Sequence, residues 1–149
     1  MNHYPSWWNE TITIYNKYTD PVSKLITWHR HVVEESAFWK NVGNKIMIDN
    51  VVIDTDTIIC RIKKDEEFLP KHEWIALPND EMDNYYTLGR GDIIVLSEVT
   101  DEIDEYTSGY RATDLVHKYK DLQGCLTIDE VTINTDGGRG NEHYLVRGK

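Results

Sequence analysis

Thr11-Ile12-Thr13-Ile14-Tyr15-Asn16-Lys17-Tyr18 alternates β-branched or aromatic residues with polar ones. A period of two sends successive side chains to opposite faces of a pleated ribbon, so the stretch reads as a strand with one face inward. Asp20-Pro21 interrupts the pattern and residues 25–33 resume it, which makes the first segment a hairpin with a longer loop. Working outward, Phe38-Trp39-Lys40-Asn41-Val42 reads as a short strand and Ile58-Ile59-Cys60-Arg61-Ile62 as another, with Cys60 and Ile62 on one face. The same alternation therefore governs most of the first half of the chain.

The span 43–57 between those strands is ambiguous. Apolar triplets Ile46-Met47-Ile48 and Val51-Val52-Ile53 flank Asp49-Asn50, with Asp54 and Asp56 beyond. It reads either as an extra hairpin turning at Asp49-Asn50 or as a long inserted loop, and its length marks it as a candidate functional segment. After a polar stretch, Trp74-Ile75-Ala76-Leu77-Pro78 reads as a short edge strand ended by its proline. Tyr86-Thr87-Leu88 and Asp92-Ile93-Ile94-Val95 frame Gly89-Arg90-Gly91, where glycine supplies the positive φ of a tight reversal. One helix is expected: Thr113 caps it, Asp114 sits in its first turn, Leu115, Tyr119 and Leu122 share a face, and Gly124 ends it. The final two strands, 125–134 and 143–148, form a hairpin around Asp136-Gly137-Gly138-Arg139-Gly140.

The 149 residues suit a single domain, 1–149, mainly β, long enough to bury roughly two thirds of its unfolded surface without metals or disulfides. Nothing resembles a secretory leader or an apolar run long enough to span a membrane, so a cytosolic product with no membrane partner is expected. Cys60 and Cys125 both fall within strands and match no zinc or redox spacing, so they read as reduced, buried hydrophobes. The net charge of −10 argues against a protein that grips nucleic acid, because such proteins neutralise phosphates with clustered Lys and Arg.

Individual motifs weaken on inspection. Arg90-Gly91-Asp92 spells the tripeptide read by integrins, but its residues are common in turns and it abuts an apolar strand. Asp54-Thr55-Asp56 begins like a calcium loop, yet position 58 is Ile where a third oxygen ligand belongs. His29 and His31 would share a strand face as a zinc pair can, but no third ligand is near in sequence. The glycines at 137–140 precede a strand rather than a helix, so they form a hairpin turn and not a phosphate cradle. No nucleophile elbow exists and no cofactor or catalytic set is indicated. Among the tryptophans, Trp28 and Trp39 lie within strands and read as core. Trp7, Trp8 and Trp74 lie at strand margins and, with Tyr85 and Tyr86, are candidate partner contacts.

The order of these segments resembles the head-tail connector proteins of tailed bacteriophages, the head-closure or head-tail-joining family. The resemblance runs from about Thr11 to Gly148: the Thr-Ile-Thr-Ile-Tyr strand, Trp28-His29-Arg30-His31-Val32-Val33, a third strand with an aromatic, a variable loop, Gly91-Asp92-Ile93-Ile94-Val95, and the closing His143-Tyr144-Leu145-Val146 strand. It departs at the acidic and helical segment 101–124 and at Leu96-Ser97, where related proteins often continue with Lys-Gly.

The resemblance implies a small β-barrel with a long inserted loop and one short α-helix. It implies a homo-oligomeric ring of about twelve copies in the virion neck, assembled in the host cytoplasm, with the portal and adaptor ring above and a tail terminator or tail tube below. As stopper, it would retain packaged DNA that passes close by without being bound. The loop would face the channel, which puts Asn44, Lys45, Asp49, Asn50, Asp54 and Asp56 on a lumenal, non-sticky lining. The alternatives are the adaptor or tail-terminator ring of the same neck, a carbohydrate-binding β module using the tryptophans as a platform, and a metal-dependent hydrolase using His29, His31 and an aspartate.

Overall fold

The computed structural model describes residues 4–120, 122–134 and 142–149, with the side chains of 44–46 and 53–56 outside the description. The chain runs β1 (Glu10–Thr19), β2 (Ile26–Ile48), β3 (Val51–Lys63), α1 (Lys71–Trp74), a 3-10 turn (Met82–Asn84), β4 (Ile93–Leu96), α2 (Ala112–Lys120), β5 (Cys125–Asn134) and β6 (His143–Gly148). The six strands close into an antiparallel barrel in the order β1-β2-β3-β6-β5-β4. It is two three-stranded meanders joined at two seams, β1 with β4 and β3 with β6. Closure leaves no free barrel edge over the paired segments, which removes the template that an open sheet offers to aggregation.

The alternation in β1 serves two cores at once. Ile12 and Ile14 point into the barrel with Ala37, Cys60, Ile62, Ile94, Leu126, Ile128 and Val146. Tyr15 points outward into a second cluster with Ile93, Val95, Val99, Leu115, Tyr119 and Cys125, built where α2 and the segment before it cover β1, β4 and β5. Thr13 is buried too, its hydroxyl donating to the Ser97 carbonyl at 2.8 Å and accepting from the Val99 amide at 3.0 Å. A buried polar residue on the outward face is thus satisfied by the acidic segment that follows β4. The crossover between β3 and β4 folds Phe68, Tyr86 and Leu88 against the barrel core.

Several elements differ from the sequence reading. Residues 26–33 and 38–42 belong to one 23-residue strand, β2, with Leu25 just outside it. Its register against β1 slips between Ile12↔Val33 and Glu10↔Ala37, and Glu35 takes φ 47 with its amide on Thr11 Oγ1 at 3.1 Å. That bulge bends the strand, letting its first half close the barrel and its second half leave it. The stretch expected as an edge strand at 74–78 follows one helical turn instead: the Pro70 carbonyl accepts from the amides of Glu73 and Trp74, each at 3.0 Å. Proline suits the position before a helix because it has no amide to leave unpaired. Helix α2 begins at Ala112, so Thr113 lies inside it, and the Asp114 carboxylate accepts the Arg111 amide at 3.0 Å. Leu122 lies beyond the helix and is exposed, while Gly124, at φ 116, donates its amide to the Tyr119 carbonyl. Trp28 and Trp39 pack at the margins of the two cores, each partly buried. Both cysteines are free and buried, and burial pushes the Cys125 thiol up to about 12.

Candidate functional site

The ambiguous span 43–57 resolves as a β-arm. Strand β2 pairs with β1 only as far as Ala37, and β3 pairs with β6 only from Ile58 onward. Between Val42↔Thr57 and Ile48↔Val51 the two strands pair with each other alone among the described residues. At about 3.3 Å per residue, this two-stranded ribbon reaches roughly 20 Å past the barrel. Asp49 at φ 51 and Asn50 at φ 66 make the turn, both left-handed, as a two-residue hairpin of primed type requires. Asp and Asn tolerate that region better than other non-glycine residues, so the reversal is written into these two positions. An isolated two-stranded ribbon is marginal in water, and this one continues the unbroken β2–β3 register that starts inside the barrel at Ala37↔Ile62.

The tip is apolar. Met47, Ile48, Val51 and Val52 are 52–69% exposed, and because neighbours alternate they present hydrocarbon on both faces of the ribbon. Asp49 and Asn50 are exposed at the turn. Asn44, Lys45, Asp54 and Asp56 fall in the ribbon's paired backbone, Asn44 opposite Thr55 and Lys45 opposite Asp54, and their side chains lie outside the described residues. The segment has an apolar end that sequence reasoning did not single out. The signal was present: two apolar triplets placed symmetrically about Asp49-Asn50 do not alternate, so neither face of such a hairpin can be polar.

The expected aromatic contacts divide. Trp7 stands 63% exposed. Trp8 is nearly enclosed, stacked on Phe38 with centroids 6.3 Å apart and edge-on to His143 at 5.1 Å. Trp74 is fully buried beside Tyr18 and His29, its Nε1 donating to the Met82 carbonyl at 3.2 Å. Tyr86 is fully buried in the barrel core and Tyr85 half-buried. Trp8, Trp74 and Tyr86 fill the monomer rather than offering surface to a partner. The same burial removes Trp74 as a platform for sugar rings.

The remaining motifs have structural work. The carboxylate of Asp92 is buried, accepting from Asn16 Nδ2 at 2.9 Å and from the amides of Lys17 and Gly89 at 3.0 Å each. Burial raises its pKa against the pull of those donors. An Asp held inside its own turn is not displayed for adhesion. His29 Nδ1 meets Asp83 Oδ1 at 2.9 Å, and His31 bridges Glu67 Oε2 at 2.7 Å and the Asp83 carbonyl at 3.0 Å. The two rings share a face of β2, as expected, and pin the β3–β4 crossover to it. The described residues contain no group of three or more His, Cys, Asp or Glu placed to hold a metal.

The acidic run after β4 has its own centre at Asp101. Its carboxylate accepts from the hydroxyls of Tyr110 at 2.7 Å and Tyr119 at 2.5 Å and from Lys118 Nζ at 2.9 Å, and its carbonyl accepts the Tyr15 hydroxyl at 2.6 Å. Burial alone would raise this carboxyl, but the three donors outweigh it and hold the pKa at about 2. Burial and the anion together push Tyr110 up to about 12, so the hydroxyl stays a donor. This node clamps α2 to the barrel.

The family match spans nearly all of this architecture, residues 7–149. The chain belongs to the DUF6751 family. That family is one of unknown function, so membership fixes no activity. No curated protein and no solved structure matches the chain.

Proposed function

We propose that this DUF6751 chain is a structural assembly protein, a ring-forming head-closure protein of the tailed-phage neck. The observation that carries the reading is the arm: a closed barrel sends out a ribbon with an apolar tip and, among the described residues, no third strand beside it. Exposed hydrocarbon on a projecting element is costly in a solitary protein and becomes favourable once a partner covers it. The net charge of −10 fits the same role, since a conduit for DNA must not hold the polymer that slides through it. The apolar tip shifts the arm's part from lining the channel to contacting neighbouring subunits. The segment order that resembles head-tail connectors gives the class of assembly.

The test is to mix the purified chain with cognate portal–adaptor rings and image the product by electron microscopy. One further stacked ring is expected. Failure to bind at any face of the connector overturns the reading.

A further inference from the structure

A groove of 480 Å³ lies at the opposite end of β2 from the arm. It is lined by Lys17, Tyr18, Pro21, Lys71, Ile75 and Arg90, with Thr19 and Asp92 completing it. Three cations converge there in a chain that carries 26 acidic and 16 basic residues. Among the lining residues a single carboxylate opposes them, that of Asp92, which is turned to the amides of Lys17 and Gly89. The groove is therefore basic where the molecule as a whole is acidic, and Tyr18, Pro21 and Ile75 give it apolar walls. The arm tip has the matching character, an Asp49 carboxylate set among Met47, Ile48, Val51 and Val52.

The two cannot meet within one chain. The groove adjoins the β1–β2 turn, at the Ile26 end of a 23-residue strand, and the tip stands beyond its Ile48 end. Two complementary surfaces at opposite ends of one strand make a heterologous contact, which closes into a ring when the rotation between copies permits. We propose that the arm tip of one copy seats in the Lys17–Lys71–Arg90 groove of the next. The occupant is a second copy because both halves of the contact are on this chain, and because the basic groove is a place where two copies of charge −10 attract. The inference rests on the ring reading above and names the contact that would build it.

Val52→Cys and Ile75→Cys chains report the contact directly, since Cys60 and Cys125 are buried and slow to react. The two chains are mixed under mild oxidation, alone at about millimolar concentration and again on cognate portal–adaptor rings. A Val52→Cys to Ile75→Cys cross-link is expected. Arg90→Glu should weaken self-association about tenfold, and adding Asp49→Asn to it should cost little more. Thermal melts confirm that each variant is folded.

No mixed cross-link in either setting, or predominant joining of Val52→Cys to itself, overturns the arm-in-groove contact. So does unchanged association of Arg90→Glu. A stacked ring without the cross-link defeats this inference and leaves the assembly role standing. The cross-link without any ring supports the contact and defeats the neck assignment.

Discussion

Replacing Asp101 by Asn removes one negative charge from a site where three side chains donate to it. The native carboxyl is held at about 2 against an ordinary 3.8, and each unit of such depression corresponds to about 1.4 kcal/mol. The ceiling on the effect is therefore about 2.5 kcal/mol. Asp101 is 13% exposed, but Lys118 is half in solvent and its share is screened, so the expected loss is about 1–2 kcal/mol. A folded-state pKa lowered below the unfolded value stabilises the protein above the unfolded pKa and loses that stabilisation as pH falls through the folded one. The gap between wild type and Asp101→Asn should be full at pH 7, shrink below about pH 5 and vanish only below about pH 2. Urea titrations at a series of pH values measure it, with a melting shift of roughly 2–8 °C as a second readout. Equal stability at pH 7, or a gap independent of pH, would refute the assignment of Asp101 as the charged clamp of α2.

Three further outcomes test the fold. Gly148→Ala should cost at least about 3 kcal/mol, because an added Cβ would stand 2.1 Å from the Thr127 carbonyl oxygen across a backbone seam that cannot yield, and a urea midpoint near wild type would contradict that register. Asp92→Asn should cost about 1–3 kcal/mol, since its amide group must face one of the three donors now meeting the carboxylate; unchanged thermal stability would show that the turn is not held from inside. Replacing residues 43–56 with Asn-Gly should leave the barrel's melting temperature within a few degrees, because that ribbon pairs only with itself, whereas cooperative loss of the whole fold would show that the arm is part of the barrel.

The barrel was legible because its determinants are local and periodic. Alternation in β1 and the apolar run at Ile93-Ile94-Val95 each need a sheet with a buried face, and the glycines at 89 and 91 mark the turn between Leu88 and Asp92. Burial on both sides of β1 was not legible, since Thr13 and Tyr15 look like solvent-facing positions until Val99, Leu115 and Tyr119 cover them. The bulge at Glu35 left no mark either: a charged residue at positive φ reads as a break between strands, which is why β2 was divided in two. The arm's turn was visible in Asp49-Asn50, but its apolar tip was read through its acids because charge stands out against a loop. Trp74 shows the opposite error. It sits at a segment margin, the usual place for an exposed aromatic, yet the helical turn that starts after Pro70 swings it inward onto Met82.

The charge and the tip together set how association should respond to salt, and the sign discriminates between two pictures. Copies of charge −10 repel over long range, and the screening length falls from about 10 Å at 0.1 M salt to about 3 Å at 1 M. In the proposed contact, Asp49 would meet the Lys17–Lys71–Arg90 groove within a few ångströms, where salt would reach the attraction less. Apolar burial at Met47, Ile48, Val51 and Val52 does not weaken as ionic strength rises. Raising salt from about 0.05 M to 0.5 M should therefore strengthen self-association, the repulsion being lost faster than the attraction. Sedimentation velocity at fixed protein concentration reads this as a shift toward larger species. Dissociation with added salt would mean that exposed ion pairs dominate the contact, and the apolar tip would then have no part in holding copies together.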